Sequence, residues 1–345
     1  VSTFSYPLLL EPVLVPKMWA GGRMAAIPGR EAPSADAHIG ESWDVSTWPA
    51  APDDSALLTM SRISNGPLAG TALGDVAEVP VVVKVIDSGD FLSVQCHPHH
   101  PDEHKNEMWY LLEADREACL YLGFAEGVTP EAFCGLLREE PTRESRVMGS
   151  LRCYRDLKHG TQFSVPAPTV HALGPGLLTF EISERSQITY RLYDYDRPRS
   201  RGHLDLGPGC EALTTPVQPQ AGLDPKLDLR GASRAETIAA FSTFCVVKVE
   251  GDRITVASAG HQHLVTASGG NCRIAGPGPE WGIDLGYSFT CLVPPAEKPY
   301  TIDTQGSGEV LISPVEGERG RKEGREGDGR RSEGEEALRR GRGGP

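Results

Sequence analysis

The run LSVQCHPHHPDEHKNEMWYLL, residues 92–112, sets Gln95, His97, His99, His100, His104 and Glu107 between two apolar ends. Imidazole nitrogens and a carboxylate form the donor set of a borderline divalent metal such as zinc, and a neutral amide can complete it. Side chains alternate along an extended strand, so Leu92, Val94 and Cys96 share one face while Ser93, Gln95 and His97 share the other. Gln95 and His97 therefore project together. A hairpin return through the polar loop would bring Glu107, at the start of the next apolar run, beside them. A second histidine comes from FSVPAPTVHALGPGLLTFEIS, where a proline-containing turn ends in His171 just before another strand. Alternation leaves His97 and His99 competing for one ligand role, because both point the same way if the strand runs on through Pro98. For His99, His100 and His104 the plain expectation is a solvated loop.

Three other residues could handle a substrate near such a site. Lys84 interrupts the apolar strand VVVKVI, and an amine there needs solvent, a cleft or a partner; taken alone it reads as an outward-facing strand lysine. Glu181, in LLTFEIS, could shuttle a proton if its pKa were raised toward neutrality, or could be an ordinary strand acid in water. Arg191, in ITYRLYD, is flanked by apolar and aromatic residues that suit two-pronged recognition of phosphate or sugar oxygens. Its plain alternative is an ion pair with Asp194 or Asp196. Trp19, Trp43 and Trp109 read more readily as core aromatics than as sugar platforms.

These side chains must be positioned mostly by strands. With 39 glycines and 28 prolines punctuating short β-branched runs, the chain reads as mainly β. The strands expected are 79–87, 91–97, 107–114, 117–124, 161–166 and 176–183. One helix is expected at 129–138, where Thr129 can cap, Pro130 fits the first turn and Phe133, Leu136 and Leu137 share a face. Residues 198–233 are rich in Pro and Gly and read as a connector. A second β-rich segment occupies 234–315; its histidines, His261 and His263, have no acid close by, so it is expected to be metal-free. The tail 316–345 is Gly, Arg and Glu with almost nothing apolar, and is expected to be disordered.

The length of 345 residues suggests about two domains. A formal charge of -13 argues against nucleic acid or an anionic membrane as partner, since either needs a clustered basic face; a small phosphorylated substrate needs only a local pair of cations. The 8 cysteines are scattered singly, with no CxxC pair, and read mostly as buried thiols in a reducing cytoplasm. No run approaches about 18 apolar residues, and the opening segment has neither a basic region nor a small-residue cleavage site. A cytoplasmic monomer or weak homo-oligomer is expected, with a few residues missing or processed ahead of Val1.

Several segments together resemble a known family. WAGGRM (19–24), IGESWDVST (39–47), VVVKVIDSGDFLSVQCHP (81–98), HKNEMWYLLEA (104–114), VPAPTVHALGPGLLTFEISERSQITYRLYDYDR (165–197) and HLDL (203–206) are similar to the short bacterial form of the type I phosphomannose isomerases, in order and spacing over most of residues 7–313. The resemblance implies two cupin (jelly-roll type) β-barrels. The first, 1–128 and 148–197, would carry one zinc ion per chain, with a short helical segment (129–147) inserted; the second, 234–315, would be empty. It further implies interconversion of mannose 6-phosphate and fructose 6-phosphate. The family's zinc ligands fall on Gln95, His97, Glu107 and His171, which decides against His99. Its lysine ahead of the metal strand falls on Lys84, its arginine after the second metal histidine on Arg191, and its proposed proton carrier on Glu181. Two departures stand out. Pro-Ala-Pro (166–168) replaces the usual Pro-Ala-Gly turn, so Pro168 cannot supply the positive φ that glycine can, and HPHHPD adds histidines that could bind metal adventitiously.

Moving a carbonyl between adjacent sugar carbons passes through an enediol that gathers negative charge on oxygen, so a nearby cation and a carboxylate of raised pKa are the parts required. A cupin that binds a sugar phosphate or a metal without turnover would not need Glu181 alongside all four ligands. A metal-dependent oxygenase is disfavoured by four protein ligands, which leave less room for dioxygen.

Overall fold

The computed structural model describes residues 4–31, 34, 37–47, 60–100, 103–139, 144–186, 188–195, 197, 204–217, 221–224, 227–258 and 260–315. Asp196, His203 and the expected disordered tail from Glu316 lie outside the described residues. The chain is mainly β, as its composition led one to expect.

Two sheets form the N-terminal half. Strands β1 (Val13–Pro16), β2 (Ile39–Val45), β3 (Val81–Ser88), β5 (Glu107–Ala114), β8 (Gln162–Val165) and β10 (Leu177–Glu184) make a six-stranded sheet in the order β8-β5-β10-β3-β2-β1. Strands β4 (Val94–Cys96), β6 (Leu120–Phe124), β7 (Leu151–Tyr154), β9 (His171–Leu173) and β11 (Tyr190–Tyr193) make a five-stranded sheet in the order β7-β6-β9-β4-β11. Two more five-stranded sheets lie between Asp228 and Val315.

The alternation of side chains sorts these sheets into layers. On the six-stranded sheet Val81, Val83, Val85, Met108, Tyr110, Leu112, Phe180 and Ile182 join one core with the C-terminal half, including Phe244, Val246 and Leu311. The intervening positions, Ile86, Trp109, Leu111 and Leu177, turn the other way and pack with Leu120 and Leu173 of the five-stranded sheet. Lys84, Glu107 and Glu181 share that inward parity. Val94, Cys96, Tyr121, Ala172 and Leu192 then cover the outer face of the five-stranded sheet, beneath a helical layer.

That layer comprises α1 (Pro130–Leu137), α2 (Glu144–Gly149) and α3 (Leu206–Thr214). Thr129 Oγ1 accepts the Ala132 amide at 3.2 Å, a cap of the kind that contributes about 1 kcal/mol, and Phe133, Leu136 and Leu137 are buried as their spacing required. Helix α3 falls inside the segment read as a connector. Its glycines and proline hide it from periodicity, yet Gly209 is what lets it lie on the sheet: a Cβ there would stand 2.5 Å from Leu192 Cδ2. Cys134 and Cys210 form a disulfide between α1 and α3, so these two cysteines are not the thiols expected, and Cys153 is exposed rather than buried.

In the C-terminal half, His263 Nδ1 is hydrogen-bonded to the Tyr300 hydroxyl at 2.8 Å. Among the described residues no helix is long and apolar enough to cross a membrane.

Candidate functional site

Cross-strand register aligns the chemistry in two rows that face each other between the sheets. On the six-stranded sheet Trp43 pairs with Lys84, Lys84 with Glu181 and Glu181 with Trp109. On the five-stranded sheet Arg191 pairs with Gln95, Gln95 with His171 and His171 with Leu122. A cavity of about 200 Å³ lies between them, lined by Lys84, Gln95, Glu107, His171, Glu181 and Arg191 together with Lys17, Trp19, Glu41, Ser93, Lys105 and Thr189. Ser93 and Gln95 thus share a face, as alternation predicts.

His97, Glu107 and His171 are buried, and their ligand atoms all lie within 4.8 Å of one another. Each imidazole is held by its far nitrogen: His97 Nδ1 meets the Ile188 carbonyl at 3.1 Å and His171 Nδ1 the Thr169 carbonyl at 2.8 Å. A carbonyl only accepts, so both Nδ1 atoms carry the proton and both Nε2 atoms turn a lone pair inward. His97 Nε2 stands 2.9 Å from Glu107 Oε1, and His171 Nε2 stands 3.9 Å from Glu107 Oε2 and 3.2 Å from the Gln95 amide. Among the described residues His97 Nε2 and Glu107 Oε2 have no hydrogen-bond partner. Acceptor facing acceptor in a buried cleft calls for a cation between them, and this N/O donor set fits a borderline divalent metal.

The electrostatics point the same way. Burial, followed by the neighbouring His97, pushes the His171 pKa down to about 4, and burial with Lys105 lowers that of His97, so both rings stay neutral. Burial alone would raise the Glu107 carboxyl, but Lys105, His97 and His171 hold it well below the usual range. Lys105 Nζ lies 3.0 Å from Glu107 Oε1.

Glu181 is only 5% exposed. Burial and then the Glu107 charge raise its pKa, against the pull of Lys84 and Lys105. Its Oε2 accepts from Trp109 Nε1 at 3.2 Å, and its Oε1 is 3.6 Å from Lys84 Nζ. Burial opposes the charge on Lys84, but Glu41, Glu181 and Glu107 outweigh it and its pKa is raised. The ammonium also rests 4.2 Å above the Trp43 ring. Lys84 is therefore an inward residue, not the outward one its strand alone would favour. Trp109 binds the Glu181 carboxylate and Trp19 lines the cavity, so neither is solely a core aromatic.

Arg191 has no ion-pair partner among the described residues, and its Nε is buried without a hydrogen bond. Asp194 pairs instead with Arg197 at 2.8 Å; Asp196 lies outside the described residues. The Arg191 backbone is fixed at both ends, its N–H donating to Asp205 Oδ2 at 3.0 Å and its carbonyl accepting from Asp205 N at 2.7 Å.

The other histidines of the opening run point elsewhere. His99 Nε2 is 3.1 Å from the Ala212 carbonyl of α3, and His104 Nε2 is 3.3 Å from Glu184 Oε1, so these two are engaged rather than loose in solvent; His100 is exposed. The Pro-Ala-Pro turn closes with the Thr169 amide donating to the Pro166 carbonyl at 2.9 Å, across a cis Ala167–Pro168 peptide. Sequence reasoning missed Lys105, which the period of two places on the Glu107 face, and the Lys17–Glu41 pair (3.3 Å), which carried no local signal.

No family model matches the chain. Among curated proteins it is 33% identical over 236 residues to the probable mannose-6-phosphate isomerase GmuF of Bacillus subtilis, covering 61% of this chain and 70% of that one. It is 29% identical over 234 residues to the mannose-6-phosphate isomerase of Streptococcus mutans, covering 60% and 68%. Its fold is similar to the crystal structure of the mannose 6-phosphate isomerase from Bacillus subtilis, with a TM-score of 0.70 at 23% identity over 90% of this chain and 99% of that one. The putative mannosephosphate isomerase from Archaeoglobus fulgidus aligns with a TM-score of 0.61 at 17% identity, over 91% and 99%.

Proposed function

Because the chain belongs to the mannose-6-phosphate isomerase family, we propose that its cavity interconverts mannose 6-phosphate and fructose 6-phosphate, using a zinc ion held by Gln95, His97, Glu107 and His171. The observation that carries this reading is the convergence of two inward imidazole lone pairs and an unpartnered carboxylate oxygen on the cavity that also holds Glu181, Lys84 and Arg191.

His97 and His171 are pre-aimed by backbone carbonyls, so little reorganisation is needed to load the site. Turning the Gln95 amide over would present its oxygen as the fourth donor. The metal would supply positive charge to the oxygens of the open-chain sugar.

In this reading Glu181 takes the proton from the carbon beside the carbonyl and returns it to the neighbouring carbon, supported by its burial and by the Trp109 hydrogen bond to its Oε2. Its raised pKa suits a group that must both accept and release a proton. Lys84 lies next to it and offers a cation for the charge that develops on oxygen. Among the described residues no carboxylate pairs with the Arg191 guanidinium, which suits it to the phosphate or the sugar oxygens of the substrate.

An assay supplying mannose 6-phosphate and measuring fructose 6-phosphate tests the proposal, together with metal analysis. Turnover should vanish on chelation and return with zinc. Protein that holds one equivalent of zinc yet produces no fructose 6-phosphate would overturn it.

A further inference from the structure

Behind the metal-site strands runs a chain of hydrogen bonds that the proposed isomerase chemistry does not use. Glu184 closes β10 three residues after Glu181 and so turns to the opposite face, the one shared with the C-terminal half. It is only 2% exposed. Its Oε2 accepts the Asn106 backbone N–H at 2.9 Å and the Asn106 side-chain amide at 2.8 Å, while the Glu184 N–H donates to the Asn106 carbonyl at 2.9 Å. Asn106 Oδ1 in turn accepts the Ala167 N–H at 3.0 Å. That is the one backbone donor of Pro166-Ala167-Pro168, since proline has none to give. On its other oxygen, Oε1, Glu184 accepts from Thr243 Oγ1 at 2.6 Å, with His104 Nε2 at 3.3 Å. Thr243 stands just ahead of the C-terminal strand Cys245–Glu250.

We propose that Glu184 is a positioning residue for the metal site, holding in one frame the two segments that deliver Glu107 and His171. This rests on the reading of His97, Glu107 and His171 as metal ligands. Asn106 immediately precedes Glu107. Ala167 lies in the turn that the Thr169 N–H closes on the Pro166 carbonyl, and the Thr169 carbonyl receives the His171 Nδ1 proton. Glu184 therefore acts on one ligand through the backbone beside it and on the other through the carbonyl that fixes its tautomer. His97 is aimed by a different route: its carbonyl partner belongs to Ile188, whose N–H donates to Ser186 Oγ at 3.2 Å.

Donors that share one buried carboxylate fix one another's orientation. Glu184→Ala removes that common acceptor and frees the Asn106 amide to swing away from Ala167. Glu184→Gln keeps an amide oxygen for Asn106 and presents its NH2 to the Thr243 hydroxyl, which accepts as readily as it donates. Through Thr243 the C-terminal half contributes to the metal site without supplying a ligand.

The test measures zinc affinity of the full chain by competition with a chromophoric chelator, and follows amide and imidazole protons of the metal-free protein by NMR. Wild type should protect the Ala167 N–H and both imidazole Nδ1 protons from exchange. Glu184→Ala and Asn106→Ala should each weaken zinc binding about 10–100-fold. Both should quicken exchange at Ala167 and at His171 Nδ1 while His97 Nδ1 keeps its wild-type rate, and the double variant should be no weaker than the worse single one. Glu184→Gln should hold zinc within about threefold of wild type. Equal zinc affinity in Glu184→Ala and wild type, equal quickening at His97 and His171, or Glu184→Gln as impaired as Glu184→Ala would overturn the assignment. An unprotected Ala167 N–H in wild type would overturn it without any variant, so the answer stands even where a variant does not fold. Wild type that binds no zinc would strike down the metal reading and this role with it, whereas equal affinities strike only the role. Isomerase turnover enters none of these readouts.

Discussion

Lys84 and Glu181 are direct cross-strand partners, and their Nζ and Oε1 atoms stand 3.6 Å apart on the cavity face of the six-stranded sheet. A carboxylate paired with a lysine normally titrates low. Here burial and the Glu107 charge prevail, and the Glu181 pKa is raised instead. Glu41, which Trp43 Nε1 and Lys17 also hold, adds its negative charge to the surroundings of Lys84. The lysine therefore restrains the proton affinity of Glu181 without quenching it.

Replacing Lys84 with Met removes that restraint. The pKa of Glu181 should rise further, so the acid limb of the kcat/KM profile should move to higher pH. A profile whose acid limb stays put, in protein of unchanged metal content, would show that Glu181 is not the titrating base. Glu181→Gln keeps an acceptor for Trp109 but cannot carry the proton, and kcat should fall about 10²–10⁴-fold.

His97→Ala should abolish metal binding, since it deletes one of two imidazoles aimed by backbone carbonyls. His99→Ala should leave the metal content unchanged, because that ring is turned toward the Ala212 carbonyl. Metal analysis of the two purified variants checks both outcomes.

Arg191→Lys keeps the charge but loses the two parallel hydrogen bonds of a guanidinium. Loss of a charge-assisted hydrogen bond costs about 1.5–3 kcal/mol, so kcat/KM should fall by about one to two decades. If the residue binds only phosphate, KM carries the change; if it also touches the developing enediolate, kcat falls as well. Wild-type kinetics in this variant would remove Arg191 from the site.

The Cys134–Cys210 bond closes a separation of 76 residues, and cross-links of that span stabilise by about 2–4 kcal/mol. Adding a reductant should lower the melting temperature of wild type and leave that of a Cys134→Ala, Cys210→Ala double variant unmoved. Equal melting of wild type with and without reductant would show that the staple is dispensable. Such bonds persist in oxidising surroundings, so the redox state of the compartment would set how firmly α3 holds Asp205 against Arg191.

Glu309 joins the two halves, accepting from Tyr110 of β5 and from Ser268 at 2.8 Å, with Lys248 Nζ at 3.0 Å and His159 at 3.5 Å. Burial would raise its pKa, yet these partners pull it down to about 2. A depressed carboxylate stabilises the fold above its unfolded pKa and loses that contribution as pH falls toward the folded value. Discounted for solvent screening, the shift corresponds to about 1–2 kcal/mol, present above pH 4.5 and fading toward pH 2. In denaturant titrations Glu309→Gln should be less stable than wild type near neutrality, and the gap should narrow across that acid window.

Gln95 and His97 were legible because a strand alternates with period two and their run is short. Glu107 and His171 were read from the hairpin return and the proline-containing turn, whereas Lys84, Glu181 and Arg191 took their roles from the resemblance, and strand pairing is what brings all five into one cavity. Lys17 and Glu41 were invisible, since only the strand order β10-β3-β2 carries Glu41 to Lys84, and strand order is not a local property of the chain. The disulfide was hidden for a similar reason: singly scattered cysteines do not announce partners 76 positions apart. Helix α3 was hidden because Gly207, Pro208 and Gly209 read as loop, although close contact with Leu192 is what asks for Gly209.

The six-stranded sheet is a party wall. Val83 and Lys84, or Tyr110 and Trp109, are neighbours in the chain yet serve opposite sides of it, one the shared core and the other the cavity. Removing the C-terminal half would leave one side of the wall as bare Val, Met, Tyr and Phe, a broad greasy surface open to self-association. The two halves should therefore melt as one cooperative unit, and a loosening substitution deep in the C-terminal core should reach the cavity by tilting the strands that carry Lys84, Trp109 and Glu181.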